Sequence, residues 1–153
     1  MALQLSEYKS IIQNFFAILQ NADEKITSVR LAPDKWTLKE MIGHLIDSAS
    51  NNHQRIVRLQ HETTLVFPRY DPEQWKSAEK INSLEWKTLV SLWKHYNDFI
   101  LHIIGQVDQN ALGNVWLMND KPLSLEDLIA DYYSHIQIHL NMFEDRVKEL
   151  KAK

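Results

Sequence analysis

The sequence predicts an all-α fold, a four-helix bundle with long crossover loops, and three observations carry that prediction. Four segments repeat apolar residues at the three-and-four spacing of a buried helix face. Capping residues stand where those apolar runs begin. Only three glycines and four prolines punctuate 153 residues, too few for the many tight turns of an all-β protein.

The first helix is expected from about Ser6 to Gln20, with Tyr8, Ile11, Ile12, Phe15, Phe16 and Leu19 on one face. The second opens on Thr37-Leu38-Lys39-Glu40 and should continue to about Gln60. That opening is a capping box: the threonine hydroxyl accepts from a free backbone N–H, and the glutamate reaches back to the cap's own N–H. The third starts near Asn82 or Ser83 and runs to about Val107 through Trp86, Leu89, Val90, Trp93, Tyr96, Ile100, Ile103 and Ile104. The fourth begins at Ser124, with Glu126 and Asp127 in its first turn and Lys148, Lys151 and Lys153 at its end, near Leu150. Both charge placements suit the helix dipole. Two long connections remain, residues 61 to 81 and 108 to 123, the first with room for a short helix after Pro72. Each carries a tryptophan, Trp75 or Trp116, expected to cap an end of the core. No repeat or linker divides the chain, so residues 1–153 form one domain.

Composition removes several classes of function. The chain has no cysteine, which excludes disulfides, thiolate metal sites and a cysteine nucleophile, and suits a reducing cytoplasm. No run of about 18 apolar residues offers a membrane span. The start, Met1-Ala2-Leu3-Gln4-Leu5, lacks the pattern of a signal peptide. Net charge is −3 with lysines and glutamates interspersed, which speaks against nucleic acid as a partner. A cytoplasmic protein acting on a small molecule is expected.

Histidine interrupts the apolar pattern of the last helix. Its core stripe should read Leu125, Leu128, Tyr132, position 135, position 139 and Met142, and positions 135 and 139 are both histidine. Side chains four apart on a helix stand about 5–6 Å apart at Cβ, so two imidazoles there can reach one ion at about 2.0–2.1 Å. On the second helix the apolar seam is Leu38, Ile42, Leu45, Ala49, Ile56 and Leu59. Beside it runs a polar seam of His44, Ser48, Asn51 and Arg55, with Asp47 one turn from His44. Packed together, these helices would join His44 to His135 and His139. Three neutral imidazoles leave an ion nearly its full charge and open positions for substrate or water. Asp47 is then a candidate proton-handling group, and Arg55 a candidate holder of an anionic part of the substrate. His53 should face solvent. His95 and His102, seven apart, are read as a polar edge of the third helix.

At this point the residues resemble a known family. Pro33-Asp34-Lys35-Trp36-Thr37-Leu38-Lys39-Glu40-Met41-Ile42-Gly43-His44-Leu45-Ile46-Asp47, followed by Arg55, is similar to the signature of the DinB-like (YfiT-like) superfamily. Pro68-Arg69-Tyr70-Asp71-Pro72-Glu73-Gln74-Trp75 resembles that family's loop before the third helix. Asp131-Tyr132-Tyr133-Ser134-His135-Ile136-Gln137-Ile138-His139-Leu140-Asn141 resembles its closing His-x-x-x-His helix. The resemblance implies a four-helix bundle with one long crossover, often a homodimer. It also implies a divalent metal, nickel or zinc, held by His44, His135 and His139. Thiol-dependent transferases and isomerases using a low-molecular-weight thiol belong to the family, as do proteins described as metal-dependent hydrolases. A thiol S-transferase type of enzyme is the leading expectation. A hydrolase, or a non-catalytic metal- or ligand-binding bundle of a stress response, is the alternative. One departure is Leu140-Asn141-Met142, where many relatives carry Arg-Gly-Gln. It bears on substrate and dimer contacts at the edge of the site.

Overall fold

The computed structural model describes residues 3–118 and 120–153. Four long helices and one short one form the bundle: α1 (Leu5–Gln20), α2 (Leu38–Arg58), α3 (Pro72–Glu79), α4 (Trp86–Gly105) and α5 (Leu125–Lys151). The foreseen caps are in place. Thr37 accepts from Glu40 N while Glu40 accepts from Thr37 N, closing the capping box of α2, and Ser124 accepts from Asp127 N to start α5. Pro72 opens α3 behind Asp71, whose carboxylate accepts from Glu73 N and Gln74 N. The start expected near Asn82 or Ser83 is corrected: Ile81–Ser83 is a single 3-10 turn, and α4 begins at Trp86. Asn82 cannot serve as its cap because its amide is engaged elsewhere, on Thr37 and Glu40.

The two long connections hold a small sheet that helical periodicity does not predict. Strands β1 (Thr64–Val66), β2 (Val115–Met118) and β3 (Lys121–Ser124) lie in that order. β1 pairs parallel to β2 with Thr64 opposite Val115, and β2 pairs antiparallel to β3 with Val115 opposite Ser124. Asp120, at φ 65°, takes the left-handed conformation in the turn between β2 and β3, one that a short Asp side chain tolerates better than most.

α2 packs against α4 and α5, and α1 covers α4 and α5 from the other side. Phe15 sits fully buried between Trp93 and Phe143, in edge contacts of 5.1 and 5.8 Å. Tyr8 stacks on Tyr133 at 4.0 Å. A buried polar pair crosses this core, Tyr132 Oη donating to Asn97 Oδ1 at 2.7 Å while Asn97 Nδ2 donates to Trp93 O. On α5 the buried face runs through Leu128, Tyr132, Ile136, Leu140 and Phe143. The expected stripe through Met142 is corrected, since Met142 is 49% exposed. Helical periodicity of 3.6 carries the face past a strict heptad, and the histidines flank it.

Gly43 lets the 3-10 turn after α3 approach α2. A Cβ on residue 43 would stand 2.9 Å from Ile81 Cγ1. That contact keeps Asn82 within reach of Glu40 and holds α3 beside the second helix at His44.

Candidate metal centre and the cavities beside it

α2 and α5 lie side by side, and each brings histidine to the seam between them. His44 Nε2 is 3.5 Å from His135 Nε2. His135 and His139, one turn apart, have ring centroids 4.4 Å apart, and His139 is 4.9 Å from His44 by the same measure. One ring nitrogen from each of the three lies within 4.8 Å of the other two. Among the described residues no carboxylate joins this group.

The donor set fits a divalent ion. Two nitrogens bound tetrahedrally at about 2.0–2.1 Å stand roughly 3.3 Å apart, close to the separation of the His44 and His135 nitrogens. Nδ1 of His44 and Nδ1 of His139 are buried without a hydrogen-bond partner among the described residues, whereas buried polar atoms are normally satisfied. Burial, reinforced by the neighbouring His135 charge, pushes His44 down to about 4. Burial, with the charges of His135 and His44, does the same to His139, and burial alone lowers His135. The trio is therefore neutral at physiological pH, the state in which imidazole offers a lone pair.

Cavities open on both sides of the trio. One of about 390 Å³ reaches His44 and His135, and its walls include Ser48, Asn52, Arg55, Arg69, Tyr70 and Trp116. The other, of about 500 Å³, reaches His44 and His139 between Trp36, Met41, Met142 and Arg146. Trp36 meets the His44 ring edge-on at 5.4 Å. Its indole N–H donates to Glu73 Oε1 at 2.8 Å, and Arg146 donates to its carbonyl.

Of the sequence candidates, His44, His135 and His139 come together, and Arg55 lies in the wall of the first cavity. Asp47 is buried and lines neither cavity. Its carboxyl shares a hydrogen bond with Glu79 of α3, and burial together with that partner lifts it well above the usual carboxylate range. Its link to the cavity is electrostatic and runs through Tyr70, which burial and the Asp47 charge push up to about 12. His53 is a correction. It is half-buried, with Nδ1 2.9 Å from Tyr96 Oη and its ring against Phe99. His95 and His102 lie exposed along α4, as the polar-edge reading has it. Trp116 does more than cap the core, since its indole forms a cavity wall and donates to Phe67 O at 2.9 Å. Arg69, Tyr70 and Trp116 were not singled out as site residues. The available signal was the density of basic and aromatic residues in two connections too long for simple bundle turns.

Asp47 makes stability depend on pH. The native state keeps its proton into the neutral range, whereas the unfolded chain releases it near pH 4. Unfolding therefore becomes easier as pH rises through that window, by up to about 1.4 kcal/mol per pH unit. His44 and His139 act oppositely between about pH 4 and 6.5, because there the unfolded chain binds the extra protons. Urea unfolding of metal-stripped protein is expected to show Asp47→Asn gaining on wild type as pH rises from 6.5 to 8. Parallel pH profiles for the two proteins would refute it.

A four-helix bundle that gathers three histidines from two of its helices defines a class of candidate metal-dependent proteins. The chain belongs to the DinB superfamily, whose sequence profile matches residues 7–143. Solved structures that share its fold include two of note. One is YfiT from Bacillus subtilis, described as a probable metal-dependent hydrolase with an unusual four-helix bundle topology. It matches with a TM-score of 0.79 and 16% identity, over 95% of this chain and 88% of that one. The other is the mycothiol-dependent maleylpyruvate isomerase, with a TM-score of 0.67 and 17% identity over 90% of this chain. The present chain covers 60% of that isomerase. Among curated proteins none matches the sequence. No helix among the described residues is long and apolar enough to cross a membrane.

Proposed function

We propose that this protein is a metal-dependent enzyme of the thiol S-transferase type, with His44, His135 and His139 as ligands to one divalent ion, nickel or zinc. The observation that carries the reading is the convergence of three neutral imidazoles where two open cavities meet. An ion held there would act as a Lewis acid, favouring the thiolate form of an external thiol. In the transfer the thiol sulfur bonds to an electrophilic carbon of the acceptor, the leaving group departs with the electron pair of the broken bond, and the thiol proton passes to solvent. The chain supplies no cysteine of its own, so the thiol comes from a small molecule.

Protein groups shape both sides of that reaction. Trp36, Met41 and Met142 offer an apolar surface to the acceptor, and their cavity reaches the trio at His44 and His139. Tyr70 walls the opposite cavity, its ring 6.4 Å from that of His44. Asp47 holds a proton beside Glu79 through the neutral range and lines neither cavity, so it does not touch substrate.

A second reading, hydrolysis, is favoured by the likeness to YfiT across 88% of that chain. Both are tested by incubating zinc- or nickel-loaded protein with bacillithiol or mycothiol and a haloaromatic or epoxide acceptor, beside an ester and amide panel without thiol. Conjugation that requires both metal and thiol, and is lost in His135→Ala, is the expected result. Metal-dependent cleavage without thiol would assign the hydrolase instead. Inactivity in both arms would leave a non-catalytic metal-binding bundle and overturn the proposal.

A further inference from the structure

Arg55 is a buried cation without a counter-ion. It is 5% exposed, and among the described residues no carboxylate pairs with it. Its guanidinium donates to two neutral oxygens at long range, Asn52 Oδ1 at 3.3 Å and Pro68 O at 3.4 Å. Nε has no hydrogen-bond partner among the described residues. One face of the group is closed by the Trp116 ring, 3.8 Å from guanidinium carbon to ring centroid, and Phe67 stands 5.8 Å away. The arginine that does have a buried acidic partner shows the contrast, since Arg30 forks onto Glu40 at 2.7 and 3.0 Å.

A buried charge left unpaired is costly, and proteins keep such groups paired or use them on ligands. Arg55 lines the cavity that also contains His44 and His135. Arg69 lines it too, with its guanidinium against Met118 Sδ. Asp131 is the one carboxylate among the described residues lining that cavity, and it lies exposed. Eleven residues separate His44 from Arg55 on α2, so both face one side of the helix about 16 Å apart along its axis. Long helical side chains lean toward the helix N-terminus, which brings the guanidinium back toward His44.

We propose that Arg55, with Arg69 at its side, is a carboxylate-binding subsite, and that the protein's ligand is an organic acid several atoms long. Its carboxylate lies on the guanidinium wall and its reactive end lies at the histidines. A planar carboxylate matches the planar guanidinium fork, and the Trp116 ring holds that fork in one orientation. This deepens the reading of the histidine trio as the reacting centre and rests on it for the placement of the reactive end. The carboxylate subsite itself rests on Arg55.

The test is calorimetric titration of zinc-loaded protein with succinate, with its uncharged diamide succinamide and with inorganic phosphate, on wild type, Arg55→Met and Arg69→Gln. Succinate is expected to bind wild type and to weaken about tenfold or more in Arg55→Met, with a smaller loss in Arg69→Gln and zinc content unchanged. Equal succinate binding by Arg55→Met with zinc in place would overturn the proposal, because the acid would then be binding the ion alone. Succinamide binding as tightly as succinate would overturn it too, and tighter phosphate binding would refute the carboxylate assignment. Wild type that takes up no zinc would count against the metal reading. The subsite is then decided by the Arg55 Nε–H nitrogen-15 resonance of metal-free wild type. A shift on adding succinate supports the subsite and an unmoved resonance overturns it. The same resonance decides the matter should Arg55→Met fail to fold.

Discussion

Zinc or nickel added to the purified chain is expected to bind at about one ion per chain and to raise its thermal midpoint, and His135→Ala is expected to abolish both effects. The ligands converge without charge of their own, so binding meets no local proton to displace above the depressed histidine pKa values. An ion that binds only the folded chain adds about 2.7 kcal/mol at a concentration one hundred times its dissociation constant. For a domain of this size that corresponds to roughly 5–10 °C. His135 is the variant of choice because its Nε2 stands 3.5 Å from Nε2 of His44, close to the spacing of two ligands on one ion, and it lies one turn from His139. Removing it leaves two donors on different helices. Mass spectrometry of metal content beside thermal melts reads both effects. Wild-type protein that takes up neither metal would sink the metal site.

Glu40→Ala is expected to cost about 3 kcal/mol, measured by urea unfolding at neutral pH. Glu40 is 6% exposed and meets every one of its obligations with a named partner. Oε2 accepts from Thr37 N at 2.9 Å and from Arg30 Nη1 at 3.0 Å, while Oε1 accepts from Arg30 Nη2 at 2.7 Å and Asn82 Nδ2 at 2.8 Å. Burial alone would raise its pKa, but the Arg30, Thr37 and Asn82 contacts outweigh burial and hold it below its ordinary value. Losing one partner of such a pair costs about 3–5 kcal/mol. The partly exposed Arg30 side chain can turn to water, which sets the lower end of that range. Glu40→Gln keeps an acceptor for Thr37 N and is expected to lose less. A loss below 1 kcal/mol in Glu40→Ala would refute this account of how α2 is anchored.

The helices and the pairing of His135 with His139 were legible in the sequence because both obey local spacing. Thr37 with Glu40, and Ser124 with Asp127, mark helix starts within four residues, and His135 with His139 share a face by simple periodicity. Placing His44 with them needed the polar seam on α2 and the family resemblance, since nothing local connects residues 44 and 135. The sheet escaped notice because its strands are three or four residues long and β1 finds its parallel partner about fifty residues away. The same distance hid Trp116 as the lid on Arg55, and hid Glu79 as the partner of Asp47. Met142 was misplaced because a stripe of fixed spacing drifts around a helix as long as α5.

The parallel pairing of β1 with β2 sets an order of events in folding. Closing a free loop of about fifty residues carries an entropy cost of roughly 3.5 kcal/mol beyond a constant, and a pair of three-residue contacts returns too little to meet it. Docking of α2 against α4 shortens the effective loop, so β1 and β2 meet only after the bundle has collapsed. The histidines ride on helices that assemble early, whereas the Trp116 wall over Arg55 is finished late. A bundle can thus bring its three histidines together before it closes the Trp116 wall over Arg55.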